Sequence, residues 1–291
     1  MSPTALARLG LLIAAILWGS SFVVIKSTMT HDVFWMLGCR MFFAAIALIL
    51  ITRGQCLKIP KKMIVPWLWI AFWIVGTFAP QAYGLTGTSV ANSAVLTALF
   101  VVITPGLMWF LKKGDTNLYQ WAGAILGLFA FFVLGASQGF STLTVFDFLN
   151  IVTAVAVAFH TMLFGEALKN PAHFFPVVFF QFAASAVMFF ILQALTYGFS
   201  IPEVSPREWS GLLYLGLFTT AIPYIFQAYG QRHLPIVQVV LIIASEPLWA
   251  IAAASILRND IVSGGAIAAC AILLIANLVA ELKPSKKTTS K

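Results

Sequence analysis

An acidic side chain lies in the middle of a long apolar segment. Glu246 is followed directly by Pro247 within the mostly apolar stretch 236–257. A helix of about 20 residues crosses a hydrocarbon core, so this carboxyl group falls near mid-depth. A charge there is costly, and a proline frees a backbone carbonyl, so both residues favour a site facing protein or water. One reading is that Glu246 is a protonated acid that bonds to the freed carbonyl where two helices pack. The other is that it exchanges protons or binds a solute.

Two further ionisable groups, His160 and Arg40, lie inside apolar segments. Histidine exchanges protons near neutral pH, and burial favours the neutral form of a carboxyl group. Glu246, His160 and Arg40 are therefore candidates for a proton relay. The alternatives are that His160 is a hydrogen-bonded packing residue and that Arg40 pairs with Glu246, keeping the carboxylate ionised.

Other polar and aromatic side chains in the apolar segments are suited to bind an amphipathic solute, which needs apolar walls and a few orienting polar groups. Beside His160 and Glu246, the candidates are Trp18, Ser21, Tyr83, Asn92, Thr97, Phe100, Gln181, Tyr224, Gln227 and Trp249. Structural alternatives stay open for several of them. Polar groups in membrane helices often only bond to a neighbouring helix, and tyrosines near span ends often anchor at the interface.

Apolar windows of membrane-spanning length recur along almost the whole chain and would position these residues. The sequence is 61% apolar and 9% charged, whereas soluble domains are about 45–50% apolar and about 25% charged. We predict an all-α integral membrane protein with ten transmembrane helices, at 6–26, 33–52, 64–84, 89–111, 118–136, 146–166, 173–197, 210–230, 236–257 and 262–281.

The charge pattern and the cysteines exclude several other classes. The net charge is +8, but the basic residues occupy short loops and the tail, which indicates membrane orientation and no nucleic-acid partner. Cys39, Cys56 and Cys270 form no spaced pair, so neither a disulfide framework nor a metal site follows. No H-E-x-x-H, no nucleotide-binding G-x-x-x-x-G-K-[ST] and no paired acidic motif occurs, so we expect no enzyme and no cofactor.

The Lys and Arg residues predict the orientation, because cytoplasmic segments carry their excess. With the N-terminus inside, thirteen are cytoplasmic and only Lys26, Arg207 and Arg258 are outside; Arg40 lies within the second span. The thirteen are Arg8, Arg53, Lys58, Lys61, Lys62, Lys112, Lys113, Lys169, Arg232, Lys283, Lys286, Lys287 and Lys291. Both termini are therefore predicted to be cytoplasmic.

The chain repeats itself at a nearly constant offset. The run Gln-Ala-Tyr-Gly occurs at 81–84 and again at 227–230, 146 residues later, and the same offset sets Phe100 opposite Glu246. We predict repeats at 1–137 and 138–282, followed by a basic tail at 283–291. An odd number of spans in each half makes the second repeat inverted, a layout common in secondary transporters and also found in channels. The small residues of the fifth and tenth spans favour packing within one chain, and a dimer face stays open.

With these residues in view, the chain resembles the drug/metabolite transporter superfamily in its ten-helix EamA-type branch. The likeness extends from about residue 11 to residue 282. It rests on Trp18-Gly19-Ser20-Ser21-Phe22, Arg40 with Phe42-Phe43-Ala44-Ala45, Thr88-Ser89-Val90-Ala91-Asn92, and Ser245-Glu246-Pro247 with Trp249. Phe159-His160-Thr161 departs from the tryptophan and small residue of many relatives, which affects the choice of substrate.

The resemblance implies a basket of ten helices around a central cavity lined mainly by spans 1, 3, 4, 6, 8 and 9, in the bacterial inner membrane. It also implies export of small amphipathic metabolites, amino acids and drugs among them, by a carrier similar to bacterial aromatic amino-acid exporters. The expected partners are a small-molecule substrate and the lipid bilayer. An uptake permease or facilitator for similar solutes is the alternative; an intramembrane enzyme and a purely structural protein are more remote.

Overall fold

The computed structural model describes residues 1–28, 32–112, 118–137, 144–198, 202–258 and 264–281. Within these ranges all regular structure is helical and no strand occurs. The predicted tail at 283–291 lies outside the described residues.

Thirteen α-helices are described in these ranges, together with short 3₁₀ turns at Gln55–Leu57, Lys61–Met63 and Pro171–His173. The α-helices are α1 (Pro3–Thr28), α2 (Val33–Thr52), α3 (Ile64–Gly87), α4 (Val90–Thr97), α5 (Phe100–Phe110), α6 (Leu118–Ser137), α7 (Val145–Ala167), α8 (Phe174–Tyr197), α9 (Pro206–Gly216), α10 (Ile222–His233), α11 (Ile236–Ile243), α12 (Glu246–Arg258) and α13 (Gly264–Glu281).

Helices occupy all ten predicted positions. Eight helical segments of the described chain are long and apolar enough to cross a membrane, and α6 and α13 contain the shorter apolar stretches Leu118–Val133 and Ile267–Ala276. The prediction of an all-helical, multi-pass membrane protein is confirmed.

The helix boundaries follow from local capping chemistry. Thr144 with Asp147, and Ser205 with Glu208, form capping boxes at the starts of α7 and α9. In such a box the side chain of each residue bonds to the free backbone N–H of the other, which satisfies donors that the first helical turn leaves unpaired. Asp32 caps α2 by accepting a hydrogen bond from the Phe34 N–H at 2.9 Å.

Two spans that the sequence predicts as continuous helices are broken near their middles. One break separates α4 from α5 at residues 98–99, and the other separates α11 from α12 at residues 244–245. Pro247 accounts for the second break, since its ring removes an N–H and clashes with the carbonyl four residues earlier. The first break has Val101 at the matching position, so a proline there is not its cause.

Matching hydrogen bonds hold the two breaks in the same shape. The Leu99 N–H donates to the Leu96 carbonyl at 3.3 Å, and 146 residues later the Ser245 N–H donates to the Ile242 carbonyl at 3.2 Å. The Val102 N–H donates to the Leu99 carbonyl at 3.0 Å, and its counterpart, Leu248 N–H to the Ser245 carbonyl, also measures 3.0 Å. The two halves of the chain therefore bend at equivalent positions.

A π-helical turn joins α9 to α10 at Leu217–Ala221. Pro223 follows it and has no N–H, so it cannot bond to the carbonyl of Thr219 four residues earlier. The predicted eighth span is therefore one continuous helical segment, but its backbone hydrogen bonds change from the α-helical to the π-helical pattern in the middle. Such π-turns are often found at functional sites.

The helices pack in pairs around the centre of the molecule. Helix α1 contacts α10, α11 and α12, α3 contacts α7, α2 contacts α8, and α6 contacts α13. Helix α1 lies close to α12 at Gly19, where a Cβ atom would lie 2.6 Å from Cβ of Trp249 and 2.7 Å from the Ala250 nitrogen. The predicted close packing of the small-residue helices α6 and α13 on each other is thus seen within one chain.

Candidate functional site: the central cavity

A cavity of about 50 Å³ lies where the helices of the two halves meet. Its walls come from α1, α2, α3, α4, α5, α7, α10, α11 and α12. The lining residues are Trp18, Ser21, Arg40, Thr77, Phe78, Gln81, Thr97, Phe100, Val157, His160, Thr161, Tyr224, Gln227, Val240, Ile243 and Glu246. A single water needs about 10–15 Å³ of such space, so the cavity holds a few waters but no solute the size of an amino acid.

Arg40 is buried, with 1% of its surface exposed, and the π-turn holds its guanidinium group. Its Nε donates to Thr220 Oγ1 at 2.7 Å, and its Nη2 donates to the Thr219 carbonyl at 3.0 Å and to Thr219 Oγ1 at 3.1 Å. The Phe78 ring covers the cation at 4.5 Å. The carbonyl that Pro223 leaves without its usual helical partner is thus bonded to Arg40.

Glu246 lines the same cavity from the first turn of α12. The backbone N–H groups of that turn form the positive end of the helix dipole and stabilise a negative charge. The described residues contain no ion pair within 4.0 Å between Glu246 and Arg40. The sequence-based alternative of a direct Arg40–Glu246 bridge is therefore not seen, although both groups face one space.

His160 and Gln181 are hydrogen-bonded to each other. The distance from His160 Nε2 to Gln181 Oε1 is 2.9 Å, and both side chains are buried. His160 lines the cavity, whereas Gln181 lies behind it and orients the imidazole. The Nε2 atom of Gln181 is buried without a hydrogen-bond partner.

Tyr224 is the hub of the aromatic wall. Its ring lies 5.3 Å from the ring of Trp18, 5.6 Å from that of His160 and 5.1 Å from that of Phe182, in edge-to-face geometry each time. Edge-to-face contacts suit the quadrupoles of aromatic rings. Tyr224 therefore joins rings from α1, α7 and α8 to α10 at the cavity.

Two glutamines related by the 146-residue repeat both reach the cavity. Gln81 donates from Nε2 to Thr97 Oγ1 at 3.5 Å, and Gln227 has a buried Oε1 with no hydrogen-bond partner. The side chains that the repeat places in equivalent helices thus face one space.

The structure brings together most of the predicted site residues but not all of them. Those that line the cavity are Trp18, Ser21, Arg40, Thr97, Phe100, His160, Tyr224, Gln227 and Glu246. Tyr83 lies elsewhere, with its hydroxyl 3.4 Å from that of Tyr197, and Asn92 is half-buried near the start of α4. Trp249 packs against Gly19. A binding role for Tyr83, Asn92, Gln181 and Trp249 stays a prediction.

Seven lining residues are not among the site residues predicted from the sequence. These are Thr77, Phe78, Gln81, Val157, Thr161, Val240 and Ile243. Spacing would have found two of them, since Thr77 and Phe78 lie one helical turn before Gln81 and share its side of α3. The apolar residues Val157, Val240 and Ile243 look like any other packed side chain.

The described residues contain no group of three or more His, Cys, Asp or Glu side chains that could hold a metal ion. The run Gly-Ala-Ser-Gln-Gly at 135–139 has the G-x-S-x-G spacing of a hydrolase nucleophile elbow. That motif needs a strand before the serine and a helix after it. Ser137 instead ends α6 and packs against Gly265 of α13, so the run lacks the structural setting of a nucleophile.

Comparison with known proteins adds independent findings. The EamA-like transporter family matches residues 5–136 and again residues 145–280. An uncharacterized transporter of Archaeoglobus fulgidus is 25% identical over 169 residues, which cover 58% of this chain and 49% of that protein. The chain thus spans about half the length of the curated relative that it matches. A solved structure described only as a crystal structure of a protein has a TM-score of 0.77 at 20% identity, covering 95% of this chain and 96% of its own, and shows the fold alone.

The helices, the apolar surfaces and the buried charged cavity define a multi-pass helical membrane protein with a central polar site. Within that class, the chain belongs to the EamA-like transporter family of the drug/metabolite transporter superfamily. The resemblance noted from its motifs is confirmed. Members of this family are transporters and not enzymes.

Proposed function

We propose that this protein is a secondary carrier that exports small amphipathic metabolites, such as amino acids or related compounds, by alternating access. The observation that carries the proposal is the central cavity. It combines a buried cation, a carboxyl group, amides and an aromatic wall at the meeting point of the two halves. An amphipathic solute matches that mixture, since apolar walls bind its body and a few polar groups orient it.

The proposed architecture is ten transmembrane helices arranged as two inverted five-helix repeats, residues 1–137 and 138–282. The matched bonds at the two helix breaks support it, as does the family match in two successive segments. Packing agrees as well. Helix α3 contacts α7, and the helices at the equivalent repeat positions, α10 and α1, also contact each other. Inverted repeats of this kind allow one half to rock against the other around a fixed site.

A rocking motion is needed because the cavity, at about 50 Å³, is too small to hold an amino acid. The breaks at 98–99 and 244–245 lie beside lining residues Thr97, Phe100 and Glu246. A change of angle at a break moves these side chains while the outer half-helices keep their packing. Hinges that absorb large dihedral changes at a few residues are the usual means of such motion.

Coupling to protons is proposed for Glu246, with His160 and Arg40 as its partners. The carboxyl group lines the cavity, where it can take up a proton from one side and release it to the other after the halves move. The loop charges favour an orientation with both termini cytoplasmic, and the family resemblance suggests export across a bacterial inner membrane. Uptake of similar solutes through the same cavity is the alternative.

Counterflow in proteoliposomes tests the proposal. Vesicles that contain the purified protein are loaded with an unlabelled amino acid and diluted into a trace of the labelled one. A carrier predicts transient accumulation of label above its equilibrium level, because exchange through one alternating site is coupled. Label that equilibrates without an overshoot, as through a channel, or that never enters, would contradict the carrier.

The same vesicles test coupling. Glu246→Gln keeps the shape of the carboxyl group but cannot exchange a proton, so at a saturating amino-acid concentration we expect counterflow to survive and net transport to lose its response to an imposed pH gradient. Glu203→Gln, an exposed acid outside the cavity, serves as the control and keeps the response. A full response to the pH gradient in Glu246→Gln would rule out the relay.

A further inference from the structure

We infer that Arg40 is the anion-binding residue of the cavity and that Arg40 and Glu246 together make it a site for zwitterions, small solutes with one carboxylate and one ammonium group. This inference rests on the proposed function and names its substrate class through the charges that recognise it. It gives Arg40 a substrate-binding role in addition to, or in place of, a role in proton coupling.

The guanidinium group is held rigidly on one side and left open on the other. Thr219 and Thr220 accept hydrogen bonds from Nε and Nη2, and Phe78 covers one face. Nη1 is the guanidinium nitrogen that remains, and it is buried without a hydrogen-bond partner. A fixed guanidinium group with one free nitrogen can still donate its remaining N–H groups to a carboxylate, in a charge-assisted hydrogen bond.

The acceptors that would complement an ammonium group lie in the same cavity. Glu246 projects from the first turn of α12, and Gln227 presents a buried Oε1 without a partner. Both residues are lining residues, as is Arg40. A donor on a cation and an acceptor on an amide are thus both left unsatisfied around one small space.

The separation of the two charges is the decisive feature. Arg40 and Glu246 form no ion pair within 4.0 Å in the described chain, so neither neutralises the other by direct contact. A solute with a single charge would pair with one residue and leave the other buried without a partner, which is costly. A zwitterion satisfies both at once. The site therefore selects by penalising solutes that lack either charge, which is how buried polar sites reject analogues.

A matched set of ligands tests the inference on the purified full chain in detergent at pH 7. L-phenylalanine carries both charges, 2-phenylethylamine lacks the carboxylate, and 3-phenylpropionate lacks the ammonium group. L-leucine, 3-methylbutylamine and 4-methylpentanoate repeat the comparison on a smaller body. In a thermal-shift titration we expect one or both amino acids to bind at least about tenfold more tightly than their singly charged analogues.

Crossed variants assign each charge to its residue. Glu246→Gln should remove the advantage of the amino acid over the carboxylate analogue and keep its advantage over the amine. Arg40→Gln should do the reverse. Should Arg40→Gln fail to fold, since Thr219 and Thr220 lose their partner, the wild-type ligand set and Glu246→Gln still decide the matter.

The outcomes separate this inference from the carrier proposal. Equal binding of the amine, the acid and the amino acid would overturn the zwitterion site, as would binding of none of the amino acids. Counterflow of 2-phenylethylamine at the same rate as phenylalanine would also overturn it, while leaving the carrier intact. The expected result is counterflow of the amino acids alone, lost in both variants at low solute concentration.

Discussion

Three buried polar atoms at or just behind the cavity make no hydrogen bond within the protein: Arg40 Nη1, Gln181 Nε2 and Gln227 Oε1. Folded proteins leave few such atoms unpaired, because each one costs about 1–3 kcal/mol. Here three of the eight such side-chain atoms in the described residues lie at or just behind one space that holds only a few waters. At the scale of single residues, the protein thus keeps unsatisfied groups where a polar ligand would satisfy them.

The first prediction concerns the hydrogen bond by which Thr220 of the π-turn holds Arg40. Thr220→Val keeps the shape of the side chain and removes the acceptor that lies 2.7 Å from Arg40 Nε. We expect a loss of about 1–2 kcal/mol in the free energy of unfolding, because a buried cation loses a hydrogen bond. Unfolding in mixed micelles monitored by circular dichroism measures it.

Thr196→Val is the matched control for this change. Thr196 is exposed on α8 and donates only to the Leu192 and Gln193 carbonyls of its own helix, so its replacement should alter the stability by less than about 0.5 kcal/mol. Equal stability of the two variants would mean that Thr220 does not hold Arg40.

Sequence reasoning identified individual residues unevenly. Glu246, His160 and Arg40 stand out because ionisable groups are rare in apolar spans, and all three line the cavity. The partners of Arg40 could not be found in this way, since Thr219 and Thr220 look like ordinary helix residues until Pro223 and the π-turn redirect them. For Tyr224 the sequence left an interfacial anchor open beside a binding role, and only the fold shows its ring in contact with rings from four other helices.

For the helices, the hydrophobic pattern correctly predicted where each one lies but did not predict where two of them break. Each predicted span has a helix, because about 20 apolar residues in lipid satisfy their backbone groups most easily as a helix. The break at 244–245 had a visible cause in Pro247, but the equivalent break at 98–99 has no proline at the matching position. Such a break depends on tertiary packing, which a local pattern does not contain.

The close packing of α1 against α12 leads to a second prediction. Gly19→Ala would place a Cβ 2.6 Å from Cβ of Trp249 and 2.7 Å from the Ala250 nitrogen, so α1 and α12 would have to separate. We expect a loss of stability of about 1–3 kcal/mol, the usual cost of overpacking. Because the neighbour is backbone, rotation of a side chain cannot relieve the clash.

Gly106→Ala is the control for that experiment. At Gly106, inside α5, the nearest atom to an added Cβ is in Trp121, at 4.0 Å, so the extra methyl group has room. This variant should be as stable as the wild type or slightly more so, since alanine favours a helix over glycine. Equal thermal midpoints for Gly19→Ala and Gly106→Ala would contradict the close approach of α1 and α12.

At the scale of the whole molecule, the composition and the loop charges indicate a membrane protein and an orientation, and the family match confirms the class. The cavity itself required the fold, since its walls come from nine helices of both halves. The repeat was visible in short runs such as 81–84 and 227–230 and reappears in the bonds at the two breaks. The proposed inverted arrangement, and the alternating access that it allows, are supported by these comparisons between the two halves of the chain.

The most direct measurement of that claim is two-sided labelling of one cavity position. Val157→Cys is placed in a background where Cys39, Cys56 and Cys270 are alanine, and a membrane-impermeant thiol reagent is added to one side at a time. Lys62→Cys and Glu203→Cys, both exposed, mark the cytoplasmic and external sides, and Ile191→Cys marks the lipid-facing surface. Alternating access predicts that the cysteine at 157 reacts from either side, that those at 62 and 203 react from the inside and the outside respectively, and that the one at 191 does not react. A cysteine at 157 that reacts from one side alone, or from neither, would contradict a cavity that opens alternately to the two sides.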